Sequence, residues 1–329
     1  MNDAKPENKL TLAGIALRYS RLAVFLLIPA TLTPFIGQWH FLLELGSHFV
    51  FHYFAVAVLC LVFIAAWKQW RWAALALIVA IINGAQVVPW YVPQANATGA
   101  SVRVLEANVQ TENQNTSKIL AYIEKTDADI LVIQEINGRW ASALAPLEHK
   151  YTYRLVHPRE DNFGIAVYSK IEIEGLKSLP LGEGGVPYIK GTIRIDGKPV
   201  ELLAVHTLPP ANSEYARYRN EQLILLRDLV QKTEHPALIV GDLNVTMWSP
   251  HYRRLMDAAL HDARSGFGML PTWPAGLSPV KIPIDHVLHE TELVCVSLKR
   301  GPNIGSDHYP LLAEIAYNSD APLSETNRT

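Results

Sequence analysis

Three stretches of the chain contain no Asp, Glu, Lys or Arg: Leu22–Leu43, Leu45–Trp67 and Trp72–Val102. Each holds an apolar run of about 20 residues, the length a helix needs to cross a bilayer. The pattern predicts three membrane helices, at 20–37, 48–67 and 72–91. Pro29 and Pro34 interrupt the first and make it the weakest of the three, although membrane helices tolerate proline. Five of the eight tryptophans (Trp39, Trp67, Trp70, Trp72 and Trp90) stand at the ends of these runs. Tryptophan collects at the interface between lipid and water, so this placement argues against three buried helices of a soluble protein. No small-residue cleavage site precedes the two later runs, and a cleaved signal peptide is not expected.

Beyond Val92 the pattern changes. Small residues dominate to Ser101, and then short apolar strands alternate with a few amphipathic helices. Strands are expected at Val102–Val109, Asp129–Glu135, Tyr151–Val156, Phe163–Ser169, Ile171–Ser178, Tyr188–Ile195 and Pro199–His206. Further strands are expected at Leu238–Val240, Ile284–Leu288, Leu293–Leu298 and Pro310–Ala316. Helices are expected at Thr116–Lys125, Asn212–Lys232 and near Pro250–Leu260. Many strands and few helices pack best as two facing sheets with helices outside, an α/β sandwich. The expected divisions are a membrane region over 1–94, a linker over 95–101, a large domain over 102–317 and a polar tail over 318–329.

Charge sharpens this division. The whole chain is nearly neutral, with 29 Lys and Arg against 31 Asp and Glu. Residues 1–94 carry six basic side chains (Lys5, Lys9, Arg18, Arg21, Lys68, Arg71) and three acidic ones (Asp3, Glu7, Glu44). Four of the basic residues precede the first run and two separate the second from the third. Between the first two runs stand only Glu44 and the histidines His40 and His48, which, with His52, read as interfacial. Cytoplasmic loops are the Lys/Arg-rich ones. The N-terminus is therefore expected inside and the large domain outside the cytoplasm, on the periplasmic face if the cell is bacterial. The large domain itself is net acidic, which disfavours affinity drawn from a long phosphate backbone. Cys60 and Cys295 are far apart and form neither a disulfide framework nor a zinc motif.

The candidate chemistry lies where strands end. Leu238-Ile239-Val240 reads as a buried strand, followed by Gly241, Asp242, Leu243 and Asn244. Side chains two apart on a strand share a face, which would point Asp242 and Asn244 the same way. A strand followed by an Asx-turn fits the same letters. Other polar residues stand at strand ends too: Asn108, Glu135, His206, Asp285 in Ile-Pro-Ile-Asp-His, and Asp307-His308 in Gly-Ser-Asp-His-Tyr-Pro. Open α/β sheets gather ligands at such ends.

These six segments resemble the endonuclease/exonuclease/phosphatase superfamily, the DNase I-like metallophosphoesterases. The match runs from about Val102 to Ala316 with all six motif positions in order, and Gly241–Asn244 and Gly305–His308 are its most specific parts. His206 resembles the DNase I and sphingomyelinase branches, whereas the abasic-site endonucleases carry a tyrosine there. Leu243 and His286 depart from the family's usual aromatic and tyrosine. The resemblance implies a DNase I-like two-sheet sandwich and metal-dependent hydrolysis of a phosphoester. It implies Glu135 as metal ligand, with Asn108 and Asp307 contributing directly or through water. It implies Asp242 as the group that orients or deprotonates water, and Asn244 as a phosphate donor. Asp285 would orient His308, and His206 and His308 would bind phosphate oxygens, one of them protonating the leaving group. An oxygen-rich set of this kind favours Mg²⁺, with Mn²⁺ as the alternative, over zinc.

The expected substrate is a phosphodiester or phosphomonoester: a lipid headgroup, a small molecule or a nucleic acid. An endonuclease acting on DNA or RNA is the alternative within the enzyme class. Outside that class stands a receptor or scaffold that binds phosphate ligands without turnover. The partner implied by the apolar runs is a lipid bilayer, and nothing points to a protein partner. The remaining histidines (His149, His157, His235, His251, His261, His289) read as surface residues, and Gly182–Gly185 as a loop. Trp248 and Trp273 read as packing residues more readily than as stacking ones. Arg217, Arg219, Arg253 and Arg254 read as solvated helix faces.

Overall fold

The computed structural model describes residues 11–93 and 100–318. Most of the expected linker, the expected tail beyond Asn318, and Lys5 and Lys9 lie outside the described residues. The first apolar run forms one helix, α1 (Leu12–Ile36), which starts earlier than expected and takes in Arg18 and Arg21. It passes straight through Pro29 and Pro34. Pro34 has no N–H for the Ala30 carbonyl, and the Thr33 hydroxyl donates to that carbonyl at 2.7 Å instead. A 3₁₀ turn at Gly37–Trp39 follows. The segment expected as a loop is then a short helix, α2 (Phe41–Ser47), whose first turn is capped by the His40 ring.

The second run is the irregular one, not the first. Its helix α3 (Val50–Ala66) has only 17 residues and meets α2 at a bend of 58°. The third run forms α4 (Trp70–Val87) and a 3₁₀ turn at Val88–Tyr91. Two segments, Leu12–Trp39 and Trp70–Tyr91, are long and apolar enough to cross a membrane, and the bent pair α2–α3 makes a third if taken as one span.

The rest of the chain is an α/β sandwich of two six-stranded sheets. The strands are β1 (Ser101–Asn108), β2 (Ile130–Gln134), β3 (Tyr153–His157), β4 (Ile165–Ser169), β5 (Glu174–Leu181) and β6 (Val186–Ile195). They continue with β7 (Lys198–His206), β8 (Ala237–Asp242), β9 (Leu260–Asp262), β10 (Asp285–Glu290), β11 (Leu293–Arg300) and β12 (Leu311–Tyr317). One sheet runs β11-β12-β1-β2-β4-β3 and the other β5-β6-β7-β8-β10-β9. The helices are α5 (Thr116–Thr126), α6 (Gly138–Leu144), α7 (Ser213–Val230) and α8 (Pro250–Met256). Strand β5 lies three residues later than its expected place, because the Ser169 hydroxyl folds over the Ile171 carbonyl at 2.6 Å and delays extension. Helix α6 and strand β9 are too short to show a period.

Alternation along the strands sorts the core. On β8, Leu238 and Val240 pack between the sheets with Val104, Val132 and Ile189, while Ala237 and Ile239 face α7 and α8. Ile119, Ile123 and Trp140 of α5 and α6 cover the other sheet. Each sheet has one parallel pair at its centre, β1–β2 and β7–β8, and each pair is flanked by antiparallel strands. The carboxyl ends of the two parallel pairs meet at one end of the sandwich, where Asn108 of β1 bonds Asp242 of β8 at 3.3 Å.

The apolar helices do not merely precede this sandwich. The core beneath α7 and α8 continues into Val50 and Val87 of the apolar helices, with Phe51, Phe54 and Trp90 packed on it. Each such valine removed from water contributes about 1.5–3 kcal/mol. Glu44 of α2 and Arg219 of α7 form an ion pair with both side chains fully buried. The other Glu44 oxygen accepts from the Ser249 hydroxyl at 2.6 Å. His48 bonds the Thr246 hydroxyl at 3.0 Å, and Trp248 donates to the Gln86 carbonyl at 3.0 Å. Gly266 and Gly268 both donate to the Trp90 carbonyl. Arg253 donates to the Pro34 carbonyl and Arg254 to Gln38. Pro34 stands among the last four carbonyls of α1, which a helix leaves unpaired and which attract cations.

Three expectations are corrected here. Arg219 and Arg253 are docking residues, not solvated faces. His48 is buried in this interface, not exposed at a membrane boundary. His251 and His289 are buried rather than on the surface: His251 bonds Asn220 at 3.1 Å behind the Glu44 pair, and His289 sits on β10, all of whose residues are buried.

Removing one member of a buried ion pair strands the other charge. Glu44→Ala should lower the stability of the detergent-solubilised full chain by about 3–5 kcal/mol in denaturant unfolding. The double variant with Arg219→Ala should lose less than the two single losses added. Equal stability of Glu44→Ala and the parent would remove the pair from the interface.

Candidate active site

Strand register builds the site. His206 of β7, Asp242 of β8 and Asp285 of β10 are direct neighbours across one sheet, so all three share its inner face. Gly241 makes the approach possible. Its φ is +147°, and a Cβ there would lie 1.9 Å from the Val205 carbonyl oxygen. The facing sheet supplies Asn108 at the end of β1 and Glu135 just past β2, with Ser306, Asp307 and His308 leading into β12. Ser306 fixes that last segment: its hydroxyl donates to the Asn108 carbonyl at 2.8 Å and accepts from the His308 N–H at 3.0 Å.

All eight residues expected at the site are brought together. Asn108 donates to Glu135 at 3.0 Å and to Asp242 at 3.3 Å. The other Glu135 oxygen accepts from the Thr111 N–H at 3.0 Å. Asp285 receives His308 Nδ1 at 3.0 and 3.1 Å from its two oxygens. His206 Nε2 and His308 Nε2 each stand 3.7 Å from the same Asp242 oxygen. Asp307 accepts from the Trp273 indole at 3.1 Å, while its buried Oδ1 has no hydrogen-bond partner among the described residues.

Asn244 reaches the site by another route than expected. Strand alternation ends at Asp242, and Asn244 lies in a left-handed turn with φ +49°. Its N–H donates to Asp242 Oδ1 at 2.8 Å, which is the Asx-turn, and its side-chain amide donates to the Thr207 carbonyl at 2.9 Å. Its own carbonyl accepts from Arg219 at 2.7 Å, so the ion pair with Glu44 bears directly on this turn. Glu135 also has positive φ, +61°, and is held there by Thr111. Left-handed backbone in non-glycine residues costs energy and gathers at functional sites.

Burial separates the ionisable groups. The carboxyl of Asp242 is pushed up to about 8 by burial and by the nearby Asp285 charge. Burial alone would lower His308, but the carboxylates of Asp285 and Asp242 outweigh it and raise the imidazole to about 10. Burial and the His308 charge drive His206 down to about 3. Asp285 stays below the usual range: burial opposes this, and the His308 charge with its hydrogen bonds prevails. Glu135 is raised by burial against its bonds from Asn108 and Thr111. The two histidines are thus driven in opposite directions.

A cavity of about 670 Å³ opens over this cluster. Glu135, His206, Asp242, Asn244, Asp307 and His308 form its polar side. Phe163, Ile282 and Ile284 of the sandwich and Leu45, His48 and Phe49 of the α2–α3 elbow also line it, with the Phe163 ring 5.3 Å from that of His206. Trp273 lines the cavity and is 37% exposed, whereas Trp248 is a docking residue. The wall from Leu45 to Phe49 had no signal in the sequence, since its residues look like any others in an apolar run. Thr111 and Ser306 were likewise missed, being common polar residues that act through backbone contacts.

Oxygen donors dominate the polar side. Asp242, Asp285 and His308 have ligand-type atoms within 4.8 Å of one another. Glu135, Asn108 and Asp307, with the unpartnered Asp307 oxygen, form a second oxygen-rich group. Such donors suit a hard divalent cation.

A model of the Endonuclease/Exonuclease/phosphatase family matches residues 105–308. Among solved structures, the endonuclease/exonuclease/phosphatase from Bacteroides vulgatus is 19% identical, covering 66% of this chain and 99% of that one, with a TM-score of 0.55. D. rerio TDP2 complexed with single-strand DNA product is 12% identical over 65% of this chain and 98% of that one, with a TM-score of 0.56. The human Nocturnin catalytic domain with bound sulfate anion is 17% identical over 68% and 96%, with a TM-score of 0.54. At these identities the likeness establishes the fold. No curated protein matches the chain in sequence.

The opposed histidines give a direct test. In spectra of ¹⁵N-histidine-labelled protein, His308 should stay protonated to about pH 10, and His206 should stay neutral down to about pH 3. Asp285→Asn removes the carboxylate that holds the His308 proton, and should lower that titration by about 1–3 pH units. An unchanged His308 titration would refute the pairing.

Proposed function

The chain belongs to the endonuclease/exonuclease/phosphatase family, and on that premise we propose that it is a membrane-anchored phosphoesterase working outside the cytoplasm. By that membership it is a metal-dependent phosphoric ester hydrolase. The observation that carries the fuller reading is the cavity itself. Polar residues at the ends of both parallel strand pairs and residues of the α2–α3 elbow line the same cavity.

We assign the divalent cation, Mg²⁺ or Mn²⁺, to Glu135 with Asn108 and Asp307. The Asp242, Asp285 and His308 group is the less suitable holder, because the closeness of its atoms is already explained by the Asp285–His308 pair. When bound, the cation supplies charge neutralisation at a phosphate oxygen. Asp242 takes a proton from the attacking water, its affinity for protons raised by burial and by the Asp285 charge. Asn244 has one amide hydrogen committed to Thr207 and the other to give to a phosphate oxygen. His308, held cationic by Asp285, stabilises the charge that builds on phosphate and can return a proton to the leaving oxygen. His206 is neutral and serves as a hydrogen-bonding group, so the acid role falls to His308.

Three membrane spans, with α2 and α3 taken as one bent span, complete the proposal. Lys68 stands between α3 and α4 and Arg71 in the first turn of α4, at the end of the helices away from the sandwich. All the docking contacts lie at the opposite ends, around Pro34, Glu44, His48 and Trp90. With basic loops inside, the sandwich is outside. A nuclease is the second reading, favoured by the likeness to D. rerio TDP2 with its single-strand DNA product. The domain's acidic balance counts against it.

Glu135→Gln, Asp242→Asn and His308→Ala should each lower Mg²⁺-dependent hydrolysis of a chromogenic phosphodiester by about a hundredfold or more, with the fold kept. Near-normal turnover in all three would overturn the assignment. For topology, alkaline phosphatase fused after Ser101 should be active and green fluorescent protein at the same place dark. The reverse pattern would put the site in the cytoplasm.

A further inference from the structure

We propose that the substrate is a phosphoester carried by a lipid, which enters the cavity sideways from the bilayer surface with its chain against the membrane-region wall. This rests on the phosphoesterase reading above and names its substrate class.

Three observations converge on the mouth of the cavity. First, the lining of the cavity is chemically mixed. The oxygen-rich group shares it with Leu45 and Phe49 from the α2–α3 elbow and Ile282 and Ile284 from the sandwich. Such a lining offers the first methylenes of an alkyl chain a surface on which to bury. Second, the same elbow marks the level of the bilayer surface. Trp39 is 73% and Leu42 60% exposed just before Leu45, a belt tryptophan and a leucine turned outward beside the cavity. Third, Trp273 and Ile282, which both line the cavity, pair to close a hairpin. At its tip Leu277 is fully exposed and Val280 43% exposed, and the Pro279 backbone meets the His52 ring on α3. An apolar tip resting on a membrane helix, beside the cavity, is continuous with the docking interface. Buried in lipid, it would also be the lip over which a headgroup passes.

The reaction remains hydrolysis. The water oxygen bonds to phosphorus, the bond from phosphorus to the alcohol oxygen breaks, and the proton lost by water to Asp242 is matched by one given by His308 to the departing oxygen. The lipid alcohol or the headgroup leaves according to which ester oxygen lies opposite the water.

Two esters that differ only in chain length test this: methyl p-nitrophenyl phosphate and hexadecyl p-nitrophenyl phosphate. Both are offered with Mg²⁺ to the full chain in phosphatidylcholine nanodiscs. Each methylene buried against the wall improves binding about fourfold, so kcat/KM should favour the hexadecyl ester by about tenfold or more. Leu45→Ser with Phe49→Ser, and separately Leu277→Ser with Val280→Ser, should each bring that ratio down toward one. Reading each variant as a ratio cancels any general loss of folded protein. Equal rates on the two esters would overturn the proposal and leave the phosphoesterase reading standing. A preference that survives both pairs of substitutions would reflect partition into the bilayer alone and would also overturn it. Hydrolysis of neither ester would instead refute the phosphoesterase reading.

Discussion

The buried pair between Glu44 and Arg219 holds this molecule in register. Two charges taken out of water cost several kcal/mol each, and their attraction returns that cost only when geometry and further hydrogen bonds are complete. Both conditions are met: Ser249 bonds the second carboxylate oxygen, and Arg219 uses its remaining donors on Asn220 and the Asn244 carbonyl. A hydrophobic contact between the same elements would tolerate sliding. A charge pair of this kind tolerates one arrangement, and that arrangement sets Leu45 and Phe49 into the lining of the cavity that Asp242 also lines. The pair thus joins two demands that seem separate, the seating of helices and the shape of the Asn244 turn.

Within the sandwich the governing constraint is directional. Two parallel strand pairs, one per sheet, send their carboxyl ends to the same place, and their antiparallel neighbours begin there. Eight polar side chains meet without any long loop having to carry them. Low dielectric then differentiates residues of one type. His206 and His308 both flank Asp242, yet only His308 has Asp285 beside it at hydrogen-bonding distance, and the two imidazoles end on opposite sides of neutrality. A carboxylate at hydrogen-bonding distance from one ring and not the other is enough to drive two imidazoles in opposite directions.

Much of this was legible in the letters. Apolar runs ending in Asn108, Glu135, His206 and Asp242 announced strands with chemistry at their tips, and the two glycine-led motifs fixed the fold family. Strand alternation failed at Asn244 because the strand had already ended, and a turn with positive φ delivered the side chain instead. The histidines at 251 and 289 were misplaced because nothing local distinguishes a buried imidazole from a solvated one. The docking interface was illegible for a similar reason. Glu44 is the lone acid between two apolar runs and Arg219 is one of several arginines on an amphipathic helix, and their meeting is 175 residues apart in sequence. The prolines of α1 misled in the other direction: Thr33 repairs the ladder that Pro34 breaks, a compensation visible only once the hydroxyl has a position.

The core that runs from beneath α7 and α8 into Val50 and Val87 bears on modularity. A chain is commonly pictured as an anchor and a cargo, each replaceable while the other stays. Here the boundary between them is not a surface of either part, because residues of both fill a single interior. Excised, the sandwich would lose one wall of its cavity and bare a face made for burial. Grafted onto a foreign anchor, it would carry an arginine with no carboxylate to meet it. The two halves constitute one inheritable unit, in which a change to the apolar helices is a change to the enzyme.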